Sequence, residues 1–202
     1  MAIFPSRKNA LVLALPRGGV LVADEIAAGL GAEMDVLIVR KLGAPGQSEL
    51  AIGAVIGTGG RHETVLNEHL MAAMRVPSAY LEEEINRQLV EVERRREKYM
   101  GNHPEPCISG HPVILVDDGI ATGATVKAAL TAIKRQKPAQ LILAVPVAPP
   151  DTFATLSRDV DEAVSIVLPL DFQAVGQFYD DFHAVSDEEV IQVLEKARSK
   201  TL

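Results

Sequence analysis

One segment organises this sequence, and it reads Val113-Ile114-Leu115-Val116-Asp117-Asp118-Gly119-Ile120-Ala121-Thr122-Gly123-Ala124-Thr125. Its four leading apolar residues predict a buried β-strand, and the acids, glycines and threonines after them predict a loop that opens a helix. In open α/β sheets, ligands bind at the carboxyl ends of the strands. We therefore expect a ligand site directly after this strand.

The rest of the chain alternates apolar strands with amphipathic helices, in the pattern typical of α/β proteins. Further strands are predicted at Ala10–Ala14, Val36–Val39, Ala51–Ile56, Thr64–Leu66, Leu141–Val145 and Ala163–Leu168. Helices are predicted from Val20, over 78–101, from about Thr122 to Arg135, at Pro149-Pro150-Asp151, and after Ser186, which forms a capping box with Glu189. Residues Arg40–Glu49 are predicted to be an exposed loop, because Gly43, Pro45 and Gly46 interrupt them. The fold class is α/β, with a mostly parallel central sheet, helices on both faces, and one domain over 1–202.

Composition excludes several classes of function. The formal net charge of -7 argues against nucleic-acid binding, which needs a basic surface. No apolar stretch reaches the length of a membrane span. Cys107 is the only cysteine, so the chain forms no intramolecular disulfide, and a reducing cytoplasm is the expected location.

The organising segment carries two kinds of recognition. Asp117 and Asp118 are good acceptors for neighbouring hydroxyl groups such as those of a ribose. The loop at Ala121–Thr125 offers backbone amides and hydroxyls at the start of a helix, which suits a phosphate. A P-loop is excluded because no Gly-Lys-Ser/Thr occurs, and the adjacent acids disfavour the Asp-x-Asp of haloacid dehalogenase-type phosphatases. The simpler alternative is a strand whose acids only cap the next helix.

All thirteen positions of this segment resemble the 5-phosphoribosyl-1-pyrophosphate (PRPP) motif of type I phosphoribosyltransferases. The resemblance implies that Asp117 and Asp118 bind the ribose hydroxyls. It also implies that Ala121, Thr122, Gly123, Ala124 and Thr125 hold the 5′-phosphate. The whole chain looks most like uncharacterised bacterial members of that family, which implies a small hood over the acceptor at 169–185.

Two basic segments resemble the pyrophosphate side of the same family site. Pro16-Arg17-Gly18-Gly19 follows the first strand and resembles the pyrophosphate loop, although such a run alone is often only a turn. Arg40 and Lys41 resemble the Arg-Lys pair of adenine phosphoribosyltransferases, and the alternative is an ordinary exposed basic pair. The resemblance makes Arg17, Arg40 and Lys41 the catalytic cations.

Other predicted contacts involve a loop and a group of aromatic residues. Ala44–Glu49 resembles the mobile loop that closes over the substrates, and Glu49 is either a substrate or magnesium contact or a surface glutamate. Phe172, Phe178 and Tyr179 are either base contacts in the hood or the filling of a small satellite core. The five histidines show no metal-ligand spacing, so no protein metal site is expected.

The resemblance implies transfer of 5-phosphoribosyl from PRPP to a nitrogenous acceptor, with Mg²⁺ carried mainly by PRPP. It also suggests a homodimer. The alternatives are a sensor of PRPP or nucleotide that does not catalyse transfer, and a PRPP or nucleotide hydrolase. The acceptor stays open: Ala121 stands where 6-oxopurine enzymes carry an acid, and Ala44-Pro45-Gly46 replaces the Lys-Leu-Pro of adenine enzymes.

Overall fold

A computed structural model describes residues 9–58, 61–101, 103–104 and 106–199 of the chain. The strands are β1 (Leu11–Ala14), β2 (Glu33–Val36), β3 (Ile38–Ala44), β4 (Gln47–Thr58), β5 (Arg61–Leu66), β6 (Pro112–Val116), β7 (Gln140–Val147) and β8 (Glu162–Val167). The helices are α1 (Gly19–Leu30), α2 (Glu68–Ala73), α3 (Ser78–Met100), α4 (Ala124–Arg135), α5 (Pro150–Ser157) and α6 (Asp187–Ser199), with a short 3₁₀ helix at Val175–Phe178. Within the described ranges, no helix is long and apolar enough to cross a membrane.

The larger sheet has five parallel strands in the order β2-β1-β6-β7-β8. Its central strand, β6, is buried from Val113 to Val116, because both faces of the sheet are covered. Helices α1 and α6 supply core residues on one face, and α4 and α5 supply them on the other. The predicted α/β class, with a parallel sheet between helical layers, is confirmed.

The chain leaves this sheet at Leu37 and enters a second one. The prediction of a single strand at Val36–Val39 was wrong, because Val36 ends β2 and Ile38 begins β3. The Leu37 amide donates to the carbonyl of Ala14 at 2.9 Å, which closes the parallel ladder at that point. An apolar run does not reveal where a chain changes sheets, since buried strands of both sheets have the same composition.

The second sheet is antiparallel, with the order β3-β4-β5. The predicted exposed loop at Arg40–Glu49 was wrong, because most of it belongs to β3 and β4, with a turn at Pro45-Gly46 between them. Gly43 is not a loop glycine: a Cβ there would lie 2.9 Å from Cα of Ser48 on the neighbouring strand. Glycine serves close approach of two strands as well as turns, which explains the error. The predicted β4–β5 hairpin is confirmed, and its residues 59 and 60 lie outside the described ranges.

Two predicted helices are confirmed, and each packs on one sheet: α3 on β3 and β4, and α6 on β2. The predicted long helix is confirmed as α3, and Val92 packs so closely on β4 that a Cβ on Gly57 would lie 2.5 Å from its Cγ1. The capping box of α6 is also confirmed. The Ser186 amide donates to Glu189 Oε2 at 2.7 Å, and the Glu189 amide donates to Ser186 Oγ at 3.1 Å. Helix α6 therefore begins at a defined point beside the carboxyl edge of the parallel sheet.

Candidate active site

The acid pair lies at the carboxyl end of the central strand β6. Asp117 and Asp118 follow Val116 directly, and the Asp118 amide donates to Asp117 Oδ1 at 3.0 Å. The next residues turn away from the sheet, and the Ile120 amide donates to the carbonyl of Val147 at the end of β7, at 2.9 Å. Strand β6 and this bond to β7 fix both ends of the short acidic loop.

Burial makes the acid pair hard to ionise. It raises the pKa of Asp117 well above its ordinary value, and the charge of Asp118 raises it further. Burial also raises the pKa of Asp118. Hydrogen-bond donors or a cation from a ligand would favour the charged form of both groups. The pair is thus suited to a ligand that presents neighbouring hydroxyls.

The glycines after β1 contact the acid pair directly. A Cβ on Gly18 would lie 1.8 Å from Asp118 Oδ2, and a Cβ on Gly19 would lie 3.0 Å from Cα of Asp117. The structure therefore brings together two segments that are about a hundred residues apart in the sequence. Only glycine permits this approach, because any Cβ would occupy the space of the carboxylate or its backbone.

Pro16 and Arg17 complete the loop between β1 and α1, and the peptide bond between them is cis. The Leu15 amide donates to the carbonyl of Val116 at 2.8 Å, which ties the start of this loop to the end of β6. The Arg17 side chain is 44% exposed, and its guanidinium lies 3.9 Å from Asp187 Oδ1. A cationic side chain thus extends from the glycine loop toward solvent at the mouth of the site.

The predicted phosphate loop lies on the other side of the acid pair. Ala121, Thr122, Ala124 and Thr125 are exposed, whereas Gly123 is buried and adopts φ +75°. Helix α4 begins at Ala124, slightly later than predicted, and no side chain caps its first amides. Such amides and the helix dipole favour an anion.

Gly123 is required by its surroundings as well as by its φ. A Cβ there would lie 2.9 Å from Cγ2 of Thr152 and 3.1 Å from Cδ1 of Leu156, both in α5. Helix α5 therefore supports the phosphate loop from behind. The sequence motif named the loop but did not indicate this support.

The predicted Arg40–Lys41 pair lies within a strand of the antiparallel sheet, whereas the acid pair lies in a loop after a strand of the parallel sheet. Both residues belong to β3, where successive side chains point to opposite faces. Arg40 Nε donates to Gln88 Oε1 of α3 at 3.0 Å, and burial together with the neighbouring Arg95 lowers the pKa of Arg40. Lys41 is exposed. The structure thus packs Arg40 against α3, and the two cations do not share one face.

Tyr80 and Glu84 of α3 hold the hairpin that follows Lys41, and Gln88 orients Glu84; sequence reasoning missed all three. Tyr80 Oη donates to the carbonyl of Gly43 at 3.0 Å, and the Gly43 amide donates to Glu84 Oε1 at 3.4 Å. Gln88 Nε2 donates to the same Glu84 oxygen at 3.0 Å, and Glu84 is only 3% exposed. The available signal was their spacing of four residues, which places all three on one face of a helix.

The predicted hood segment at 169–185 packs on the acidic loop. Tyr179 Oη donates to the carbonyl of Asp118 at 2.5 Å. Burial and the nearby charges of Asp118 and Asp117 raise the pKa of Tyr179 to about 12. A Cβ on Gly119 would lie 2.5 Å from Cγ1 of Val175, so the 3₁₀ helix touches the loop itself. The predicted hood segment therefore packs directly against the loop that carries the acid pair.

The aromatic residues of the hood pack against one another. The Phe172 and Phe178 rings stack, with centroids 5.9 Å apart and 11° between their planes. The Tyr179 ring lies against Phe182 at 5.2 Å. Phe178 remains 36% exposed, so part of this cluster faces solvent.

The remaining candidates concern a metal ion. Glu49 lies in β4, but its side chain is outside the described part of the structure. Among the residues described, no three His, Cys, Asp or Glu side chains come together as a metal-ligand group. Two adjacent carboxylates are fewer ligands than Mg²⁺ requires, so substrate oxygens or water would have to complete its coordination.

Comparison with known proteins identifies the class of the chain. Residues 3–183 match the family profile described as the phosphoribosyl transferase domain. This chain belongs to the phosphoribosyltransferase family, which confirms the resemblance seen in the organising segment.

Particular relatives agree with this assignment. Two Mycobacterium tuberculosis proteins, from strains CDC 1551 and H37Rv, each carry the name "Putative phosphoribosyl transferase". Both are 42% identical to this chain over 192 residues, which are 95% of the chain but 43% of the relative. The chain thus spans less than half the length of these relatives. The crystal structure of TT1426 from Thermus thermophilus is 45% identical, with a TM-score of 0.81, and the match covers 93% of this chain and 88% of that one.

Proposed function

We propose that this protein transfers the 5-phosphoribosyl group of PRPP to a nitrogenous acceptor and releases pyrophosphate. The observation that carries the proposal is the contact of Gly18 and Gly19 with the acid pair, beside the uncapped start of α4. A ligand at this point would meet acceptors for a diol between two loops that suit anions. PRPP has that arrangement, with a ribose diol between a 5′-phosphate and a pyrophosphate.

Each loop then has a distinct role. Asp117 and Asp118 accept hydrogen bonds from the ribose hydroxyls. Residues Ala121–Thr125 donate amides and hydroxyls to the 5′-phosphate. Pro16-Arg17-Gly18-Gly19 receives the pyrophosphate, since its glycines allow backbone amides to approach and Arg17 supplies charge.

Catalysis in this proposal is positioning and electrostatic stabilisation. As the bond at the anomeric carbon breaks, positive charge develops on the sugar and negative charge on the leaving pyrophosphate. Arg17 stabilises the leaving group, and Mg²⁺ carried by PRPP would neutralise further charge on it. No covalent bond to the protein is needed.

Arg40 and Lys41 have the less direct roles. Lys41 is exposed and within this proposal reaches toward the pyrophosphate, whereas Arg40 would have to leave Gln88 to do so. This position of Arg40 favours a second candidate function, a sensor that binds PRPP without transferring its sugar. The same chain would then report the concentration of PRPP.

The proposal also covers the domain organisation, the cellular location and the assembly of the protein. We propose a single unit over 1–202, with 169–185 as the hood over the acceptor and Phe172 or Phe178 beside its ring. A cytoplasmic setting and a role in nucleotide metabolism belong to the proposal, and the exposed thiol of Cys107 fits a reducing compartment. We also propose that the protein forms a homodimer, as the family resemblance suggests.

One experiment separates the candidate functions. The protein is incubated with Mg²⁺, PRPP and a pool of bases, and pyrophosphate and new nucleotides are followed by mass spectrometry. Release that depends on a base supports the transferase, and release without a base indicates a hydrolase. Tight PRPP binding without turnover identifies the sensor. If neither PRPP nor nucleoside monophosphates bind in calorimetry, the proposal is wrong.

A paired substitution tests the ribose assignment. Asp117→Asn with Asp118→Asn should abolish PRPP binding while the protein stays folded, because amides are poorer acceptors and carry no charge. Asp159→Asn is the matched control, since Asp159 pairs at 3.6 Å with Lys134 near the end of α4, away from the acidic loop. Unchanged affinity in the double variant would remove the ribose role of the pair.

A further inference from the structure

Asp187, the first residue of α6, joins three parts of the molecule. Tyr99 Oη donates to its Oδ1 at 2.5 Å, and Lys98 Nζ donates to its Oδ2 at 2.8 Å, both from the end of α3. The Arg17 guanidinium lies 3.9 Å from Oδ1. Asp187 is beyond the residues 3–183 that match the family profile. Its carboxylate therefore links the pyrophosphate-type loop to two helices.

The carboxylate is oriented by α3 rather than by Arg17. Lys98 and Tyr99 bond it at hydrogen-bond distance, and with the charge of Arg17 they lower the pKa of Asp187 to about 2. It is thus charged throughout the physiological range. At 3.9 Å the Arg17 contact is an electrostatic restraint rather than a hydrogen bond, so Asp187 itself does not use up a guanidinium donor.

We propose that Asp187 is a positioning residue, which holds Arg17 over the glycine loop so that the guanidinium donors meet the pyrophosphate of PRPP. The assignment rests on the proposed function. A free arginine has many rotamers, and ordering it on binding costs affinity. A fixed negative charge beside the guanidinium reduces the number of those rotamers before the ligand arrives.

Helix α3 also fixes the position of strand β3, which carries Arg40 and Lys41. Tyr80 and Glu84, near its start, hold Gly43 at the end of β3, and Lys98 and Tyr99, at its end, hold Asp187. One rigid helix therefore sets the position of both segments that carry the proposed catalytic cations.

The test measures PRPP affinity by calorimetry with Mg²⁺ present and no acceptor. Asp187→Asn should weaken binding about fivefold, which corresponds to the loss of one exposed ion pair. Glu188→Gln is the matched control: Glu188 also pairs with Lys98, at 3.3 Å, but Arg17 is paired with Asp187. Glu188→Gln should leave affinity unchanged, and Asp187→Glu, which keeps the charge, should restore most of it.

An Arg17→Ala background shows whether Asp187 acts through Arg17. The Asp187→Asn effect should disappear there, because no guanidinium is left to position. An equal loss in both backgrounds, unchanged affinity, or tighter binding in Asp187→Asn overturns the assignment. Thermal unfolding confirms that each variant is folded. If the unaltered protein does not bind PRPP, the proposed function fails, whereas normal binding insensitive to Asp187→Asn overturns this assignment alone.

Discussion

The acid pair after β6 and the basic pair in β3 were both predicted from short motifs, yet the structure builds them in different ways. The acidic loop follows β6, the strand between β1 and β7, and it contacts Gly18 and Gly19 of the loop after β1. The basic pair lies in an antiparallel strand whose position depends on Tyr80, Glu84 and Gln88 of a separate helix. The first region is held mainly by backbone bonds of the parallel sheet and by close glycine contacts, and the second mainly by side chains of α3.

This difference bears on what each region can do. A loop fixed at both ends by backbone bonds to a buried sheet is preorganised for a ligand. The β3–β4 hairpin is held to α3 by polar contacts and also by buried apolar residues, among them Leu42, Ala44 and Val92. The acid pair is thus suited to binding, whereas the position of the β3–β4 hairpin depends on how α3 packs against it.

The largest loss of PRPP affinity in this comparison is expected from Gly18→Ala, which disturbs the acidic loop without replacing either acid. Gly18→Ala places a Cβ 1.8 Å from Asp118 Oδ2, so the carboxylate must shift from its present position. Loss of hydrogen bonds to a charged acceptor should weaken PRPP binding about 10- to 100-fold in calorimetry. Gly29→Ala in α1 is the control, because a Cβ there has no atom within 4 Å. Unchanged affinity in Gly18→Ala would contradict the proposed contact between loop and ligand.

A second prediction concerns the stability of the same region against pH. Because burial raises the pKa of Asp117, the folded protein holds this proton more tightly than the unfolded chain does. The ionised group therefore destabilises the fold, and Asp117→Asn should raise the free energy of unfolding near pH 7. The gain should shrink as the pH falls through the raised pKa of the folded state and vanish below the ordinary carboxyl value of 3.8, where both states bind the proton. Denaturant unfolding at several pH values measures this, and a gain independent of pH would contradict it.

The smallest effects are expected when the same change, the loss of one tyrosine hydroxyl, is made in each region. Tyr179→Phe and Tyr80→Phe each remove a hydroxyl that donates to a backbone carbonyl, at Asp118 and Gly43 respectively. Each should cost about 1 kcal/mol in the free energy of unfolding. PRPP affinity should fall roughly fivefold in Tyr179→Phe and less than about twofold in Tyr80→Phe, because only Tyr179 supports the acidic loop. Equal losses of affinity would remove the distinction between the regions.

Prediction from sequence succeeded where the structural signal is local. The α/β class followed from repeated strand–helix units, the α6 cap from the Ser186 and Glu189 spacing, and the acid pair from its place after a buried strand. It failed at Leu37 and Gly43, where the decisive contacts are to Ala14 and Ser48 on neighbouring strands. Neither contact leaves a periodic pattern in the sequence.

The sequence by itself determined the parallel sheet, the segment Val113–Thr125 and membership of the phosphoribosyltransferase family, because these depend on hydrophobic patterning and on turn residues that are adjacent in the chain. Only the tertiary structure decided that Gly18 meets Asp118, that Tyr179 joins the segment 169–185 to the acidic loop, and that Arg40 packs against α3. The physical reason is that close approach and burial depend on which surfaces meet when the sheet and helices pack. That packing joins residues about fifty to a hundred positions apart.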